Sequence, residues 1–371
     1  MPSARRVLFF TPHLGGAGAE RVIAQLLQGL DRAVAQPELA LVYRQGAFLD
    51  DVPEDVPVHA LGARRLATAV PALARVIRAR QPDVVFAAGG ANVVASLAHR
   101  AARSSARLVL SERSALIRDD RSAARNAALN AMKRWTYRRA DLLTTVSAGL
   151  ATQCRDLLRL PAHRVRPVFN PVIDAHLHEA AQAPVDHPWF HDDLPVVIAV
   201  GRLAAIKDYP TLVDAFDRLR QRTPCRLFVL GEGSERAAIE EDLRARDLED
   251  HVHLHGFDKN PFRYMARAHL MLHASRAEGL PGVHIQAAAC GTPVVSTDCD
   301  FGPREVILQS GTDGFLVPVG DAEGLASHAH RLLVDPELHA RVQRAAKASV
   351  QRFTREQVLG NYERALLEVS P

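Results

Sequence analysis

Long apolar runs are missing from this 371-residue chain. No window approaches the roughly 18 uninterrupted apolar residues that a spanning helix requires, which argues against a helical membrane protein. Arg5-Arg6-Val7-Leu8-Phe9-Phe10 has the basic start of a leader, but it runs at once into Thr-Pro-His-Leu-Gly-Gly. A first buried strand fits that short stretch better than a signal peptide does. Cysteine is scarce too: Cys154, Cys225, Cys290 and Cys299 show no Cys-x-x-Cys spacing, the pattern of packed thiols in a reduced cytoplasm rather than of a disulfide framework. Aromatic residues are few, at 5%. No Gly-x-Ser-x-Gly elbow occurs, which removes the usual hydrolase nucleophile. No Gly-rich loop ends in Gly-Lys-Ser/Thr, which removes a Walker phosphate loop.

Strong charge of one sign is absent as well, since the formal net charge is only +4. The balance is nevertheless uneven. Residues 1–190 hold 25 Lys+Arg against 16 Asp+Glu, and residues 191–371 hold 21 against 26. A basic first half beside an acidic second half suggests that the halves meet different partners. Hydrophobic residues at 47% and charged residues at 24% describe an ordered globular chain. Its length exceeds what one hydrophobic core usually serves, so two domains are expected.

Apolar runs at Val7–Phe10, Leu39–Tyr43, Val84–Ala88, Leu108–Leu110 and Leu142–Val146 read as buried strands, each followed by a helical pattern or a turn. Residues 180–195 carry three prolines and no period, and read as a linker. A second series then begins, with strands at Val196–Val200, Arg226–Leu230, Val252–Leu254, Leu270–His273 and Val294–Thr297. Helical patterns between them include Pro210–Gln221, Glu235–Arg246, Asn260–Ala268 and Gly282–Cys290. Alternating strand and helix signals predict parallel, doubly wound sheets. The expected organisation is a first Rossmann-like domain at 1–180, a linker at 181–195, a second domain at 196–353 and a final helix at 354–371 returning to the first domain. Ligands of such sheets bind at the carboxyl ends of the strands, and a cleft between two facing domains is the expected site.

The densest motif is Ser275-Arg-Ala-Glu278-Gly-Leu280-Pro281-Gly282-Val-His-Ile-Gln286-Ala-Ala-Ala-Cys-Gly291-Thr-Pro-Val-Val. A strand end, one carboxylate and a Gly-Leu-Pro-Gly turn lead into a helix, with Pro281 suited to its first position. Free amides at such a helix start attract an anion such as a diphosphate. Glu278 stands just before them, where it accepts from sugar hydroxyls or merely answers the helix dipole. After the first strand of the second domain comes Gly201-Arg202-Leu203-Ala-Ala-Ile-Lys207-Asp208. It supplies two cations for a diphosphate, or two solvated surface charges. In the first domain, His13-Leu-Gly15-Gly16-Ala-Gly-Ala-Glu20-Arg21 follows the opening strand. Its glycines allow close backbone approach to a ligand, or simply a tight turn. Gly231-Glu-Gly233 is half of a dinucleotide fingerprint and weak evidence for NAD.

Two further groups draw a plain reading. His251, His253 and His255 alternate along a strand, which places them on one exposed face. Arg121, Arg125, Lys133, Arg134, Arg138 and Arg139 run along a helical pattern with Leu129, Met132 and Trp135. That is a solvated basic face, or a contact for anionic lipid headgroups.

Taken in order, these stretches resemble the retaining glycosyltransferases of family 4, which have the GT-B fold. The resemblance rests on the Gly-Gly…Glu-Arg loop at 15–21, Val-Ser-Ala-Gly at 146–149, Asn170-Pro171, Gly-Arg-Leu…Lys-Asp at 201–208 and Gly-Glu-Gly at 231–233. It is completed by Glu-Gly-Leu-Pro…Ala-Cys-Gly-Thr-Pro-Val-Val, by Gly302-Pro303-Arg304-Glu305 and by Gly314-Phe-Leu-Val317. It implies a nucleotide-diphosphate sugar, with UDP as the expected nucleotide, as co-substrate, and a glycan or lipid-linked acceptor in cell-surface polysaccharide biosynthesis, with no nucleic acid as partner. No metal or separate cofactor is implied. Arg202, Lys207 and Glu278 would be the catalytic set. Gly201, Gly231, Gly233, Leu280, Pro281, Gly282, Gln286 and Glu305 would contact the donor. Gly15, Gly16, Glu112 and Arg113 would face the acceptor, in a cytoplasmic protein peripheral to the inner face of the membrane.

The chain departs from the family in two places. The family's second glutamate, eight residues after the first, is Gln286 here. An amide oxygen accepts one hydrogen bond without charge, a loss of about 1–2 kcal/mol in nucleotide binding. The loop that carries a histidine in many relatives reads Ser111-Glu112-Arg113. Two rival readings stand beside the first: a catalytically weak or silent GT-B scaffold that binds a nucleotide sugar or a partner enzyme, with Gln286 as its mark, and an NAD-dependent enzyme resting on Gly231-Glu-Gly233.

Overall fold

The computed structural model describes residues 4–15, 18–116 and 122–367 and divides into two compact units. The first unit holds residues up to Pro171 and returns at Glu356, and the second runs from Val172 to Arg355.

In the first unit the strands are β1 (Arg5–Thr11), β2 (Ala35–Leu41), β3 (Val58–Ala60), β4 (Val84–Ala88), β5 (Arg107–Glu112), β6 (Leu142–Thr145) and β7 (Val165–Pro167). All pair in parallel in the order β3-β2-β1-β4-β5-β6-β7. β4 reads Val-Val-Phe-Ala-Ala and is buried throughout, as a strand covered by helices on both faces must be. The core around Phe9, Leu26, Leu39 and Phe86 also contains Val358, Leu359, Tyr362, Ala365 and Leu366 from the last helix, Arg355–Leu367. That helix therefore completes the hydrophobic core of a sheet whose last strand ends at Pro167.

The second unit contains β8 (Val196–Val200), β9 (Arg226–Leu230), β10 (Val252–Gly256), β11 (Leu270–His273), β12 (Val294–Thr297) and β13 (Phe315–Val317). Its order, β10-β9-β8-β11-β12-β13, is again all parallel. The direction of winding reverses between β8 and β11, the place where doubly wound sheets bind ligands.

Three short edge strands, β3, β7 and β13, were not among the expected ones; each has only three residues, too few for a period to show. The expected linker 181–195 is packed rather than extended. His187, Trp189 and Phe190 lean edge-on against Phe228 of β9, and His187 lies 4.6 Å from His253 between ring centroids. The unit boundary falls instead at Pro171, directly after Asn170. The same packing corrects the histidine strand: His253 and His255 are half-buried under the 187–190 segment and Tyr264, not exposed.

Candidate functional site

Four loops gather at the carboxyl ends of β9, β8, β11 and β12. The loop after β8 forms a single turn, Ala205–Lys207, and closes at Asp208 with φ +50°, a conformation that aspartate tolerates better than most residues. Asp208 is 2% exposed and receives both arms of Arg276, at 2.9 and 3.0 Å. The Arg276 amide donates to the Ile206 carbonyl at 2.9 Å, and Ser275 Oγ donates to the same carbonyl at 3.1 Å. The loop after β8 is thereby fastened to the loop after β11. As a result Lys207 Nζ meets Glu278 Oε1 at 2.5 Å, so two groups 71 positions apart converge on one point.

The glycines of the loop after β9 serve this assembly. Gly231 has φ +148°, and a Cβ there would fall 1.8 Å from the Gly201 carbonyl oxygen. A Cβ on Gly233 would fall 2.1 Å from the Leu203 carbonyl oxygen. Only glycine lets the two backbones lie this close. That contact explains Gly231-Glu-Gly233 without a dinucleotide.

The helix Gly282–Cys290 begins beside Glu278. Pro281 is its cap rather than its first residue, with ψ 92° and no side-chain cap. The first-turn amides of Gly282 and Val283 accordingly lack partners within the helix. A side chain on Gly282 would meet nothing within 4 Å, so the space over this positive helix end is open. Gln286 lies one turn on, along the half-exposed stripe of Gly282, Val283, Gln286 and Cys290. Gly302, with φ +87°, abuts this turn: a Cβ there would be 2.6 Å from Pro281 Cδ and 2.9 Å from Leu280 Cα. It opens the short helix Pro303–Val306, whose last carbonyls, those of Glu305 and Val306, receive the half-buried guanidinium of Arg352 at 2.6 and 3.2 Å. Arg202 is exposed at the mouth of the same loop cluster.

The structure thus brings Gly201, Arg202, Lys207, Gly231, Gly233, Glu278, Leu280, Pro281, Gly282 and Glu305 to one end of the second sheet. The sequence did not disclose the Asp208–Arg276 clasp, although both residues sit in the motifs. Their pairing depends on two loops meeting across the switch point. Nor did it disclose Arg352, or the buried His273 and His284 behind Glu278.

In the first unit the expected acceptor residues are differently disposed. Gly15 donates its amide to His13 Nδ1 at 3.0 Å, while Gly16 lies outside the described residues. Glu112 is 1% exposed. It accepts from Lys133 Nζ at 2.6 Å, Tyr137 Oη at 2.9 Å and the Arg113 amide at 3.2 Å, so its carboxylate is occupied inside the fold. Burial and this neighbouring charge push the Tyr137 hydroxyl well above its usual range. Lys133 therefore does not belong to a solvated basic face. Arg113 donates to Asn170 and to Tyr362 Oη, the latter at 3.3 Å. The remaining basic helix exposes Met132 and Trp135, with the Arg139 guanidinium 4.8 Å and that of Arg100 5.9 Å from the indole. Arg121 lies outside the described residues.

Comparison with known proteins agrees with this architecture. Residues 17–171 match the glycosyl transferase 4-like domain, and residues 187–349 match glycosyl transferases group 1. The chain is 28% identical over 245 residues to N-acetyl-alpha-D-glucosaminyl L-malate synthase of Bacillus anthracis, covering 65% of this chain and 63% of that protein. It is 29% identical over 224 residues to a Campylobacter jejuni transferase named for 4-alpha-N-acetylgalactosaminyl transfer to a diphospho-undecaprenol glycan, covering 60% of this chain and 59% of that protein. These matches therefore span less than two thirds of either relative. Among solved structures, HepE of Anabaena in complex with UDP and glucose superposes with a TM-score of 0.81 at 21% identity, over 98% of this chain and all of that one. At that identity the likeness is one of fold. Two parallel Rossmann-like sheets, with one family match on each, make this chain a member of the GT-B glycosyltransferases of the family 4 type.

Proposed function

We propose that this chain transfers a hexosyl group, with retention of anomeric configuration and without a metal, from a nucleotide-diphosphate sugar to a glycan or lipid-linked acceptor. The observation that carries the reading is the meeting of Lys207 and Glu278 beside the uncapped helix start at Gly282. Cations and free amides at one point suit a pyrophosphate, and the adjacent carboxylate suits sugar hydroxyls. UDP is the proposed nucleotide, supported by the UDP and UDP-glucose complexes of HepE. The cell-surface role is supported by relatives named for lipopolysaccharide core and undecaprenol-linked glycans.

In this reading the acceptor hydroxyl oxygen bonds to the anomeric carbon as the bond to the β-phosphate oxygen breaks. Its proton passes to the departing phosphate on the same face. Arg202, Lys207 and the amides at Leu280–Gly282 stabilise the charge that develops there. Glu278 orients the sugar, and Gln286 accepts from the ribose. Gly201, Gly231 and Gly233 hold the loops close, and Glu305 borders the donor. Gly15, Gly16 and Arg113 face the acceptor, with Glu112 fixing the surroundings of Arg113. The protein works at the cytoplasmic face of an anionic membrane, where Trp135, Met132 and their flanking arginines provide a basic, partly apolar contact. No helix among the described residues is long and apolar enough to cross a membrane.

The test begins with a thermal-shift screen of UDP- and GDP-sugars, because a ligand that binds the folded state raises its stability. The stabilising donor is then assayed for UDP or GDP release with an acceptor extract. Lys207→Ala should lower turnover by about 10²-fold or more; unchanged turnover would sink the assignment. Absence of any nucleotide binding would favour the scaffold instead. Co-sedimentation with anionic vesicles at low and high salt decides the membrane contact.

A further inference from the structure

Two histidines behind the Lys207–Glu278 pair have no part in the reading above. His273 ends β11 and His284 lies in the first turn of the helix Gly282–Cys290. They are 4% and 0% exposed. Their rings meet edge to face with centroids 4.6 Å apart. None of the four ring nitrogens has a hydrogen-bond partner among the described residues. Buried polar groups are almost always satisfied, and packing alone would be served by an apolar ring. The neighbours in sequence, Leu272, Ala274 and Ile285, are such buried apolar residues.

The geometry has a direction. His273 Nε2 stands 3.4 Å from Glu278 Oε1, the same oxygen that takes Lys207 Nζ. Lys207 restrains this carboxylate. A pyrophosphate would draw Lys207 away, and Glu278 would then lose that ion pair just when it must present its oxygens to a sugar. We propose that His273 is the positioning residue for Glu278: its Nε2–H donates to Oε1 and fixes the carboxylate toward the sugar hydroxyls, while the edge of His284 fixes the His273 ring. The proposal rests on the reading of Glu278 as the sugar-holding group. The groups facing His273 are Lys207, Glu278 and His284. Burial first, and then the Lys207 charge, push His273 down to about 3, so it serves as a neutral donor.

The test compares Kd for UDP with Kd for UDP-glucose and UDP-N-acetylglucosamine by calorimetry, in the full chain and in His273→Phe, His273→Asn, His284→Phe and Glu278→Gln. His273→Phe should bind UDP as the parent does and melt at the same or a higher temperature. It should lose roughly tenfold of the preference for the UDP-sugar over UDP. His273→Asn, whose amide donates from a similar place, should recover part of that preference. An unchanged preference in His273→Phe overturns the proposal. So does a parallel fall in UDP affinity and melting temperature, which marks a merely structural ring. If Glu278→Gln keeps the preference, the reading of Glu278 fails first. The histidine contact is then judged by itself in long-range 1H–15N spectra. These should show His273 as the Nε2–H tautomer, with a shift that moves in Glu278→Gln; an Nδ1–H tautomer overturns it.

Discussion

Gln286 and the buried histidines show how single residues set the limits of this site. Gln286 lies on the half-exposed stripe of its helix, one turn from the open space over Gly282. A glutamate there would accept from ribose hydroxyls as an anion, and charged acceptors are the stronger ones. Gln286→Glu should tighten UDP binding by roughly tenfold, read by calorimetry at constant salt. His273 and His284 make a separate prediction about pH. Burial holds both imidazoles below the ordinary histidine value of 6.5, His273 at about 3. The unfolded chain therefore takes up protons below 6.5 that the folded chain refuses, so stability is full above 6.5 and falls as pH drops toward 3. The slope is about 1.4 kcal/mol per pH unit for each histidine once the pH is well below 6.5. Urea unfolding between about pH 7 and about pH 5 should show this loss, and His273→Phe should remove one histidine's share.

Elements matter here chiefly as carriers of loops. The sheet order puts the ends of β8 and β11 side by side, and the clasp Asp208–Arg276 turns that adjacency into a fixed distance between Lys207 and Glu278. Removing either half of the clasp should free the Lys207 turn. Asp208→Ala and Arg276→Ala should each lower donor turnover by about tenfold or more, in the manner of a misplaced catalytic group. The double variant should do little further harm, because both single changes break one interaction. Additive losses would show that the two residues act separately. The strands that frame the site were legible because Val-Val-Ile-Ala-Val and Leu-Met-Leu-His are buried on both faces, and such runs stand out in sequence. Helix Gly282–Cys290 was legible from its Pro and Gly ends, with Gly291 at φ +90° stopping it. The clasp was not, since nothing in a loop's composition reveals which other loop it meets.

At the scale of the whole molecule, the chain closes its first unit with its own last helix. Val358, Leu359, Tyr362, Ala365 and Leu366 are all buried in the first core, and a Cβ on Gly29 would fall 2.3 Å from Leu359 Cδ1. Burying side chains of this size contributes about 1.5–3 kcal/mol each, and the sum rivals the whole stability of a domain, about 5–15 kcal/mol. A chain stopped after Thr354 should therefore lose the cooperative unfolding of its first unit, visible as a missing transition in calorimetry, while the second unit keeps its own.

The sequence by itself determined the two α/β units and most of the strands. It also determined the loops that carry charge, because periodicity, glycine and proline act locally. Only the tertiary structure decided which charges meet. Glu112 and Lys133 read as an acceptor contact and a surface cation, yet they neutralise each other inside the fold. Residues 181–195 read as a tether, yet their aromatic rings cover β9 and β10. The physical reason is the same in each case. Burial and pairing belong to surfaces brought together over long stretches of chain, and one residue's neighbours in sequence do not say what will be packed against it.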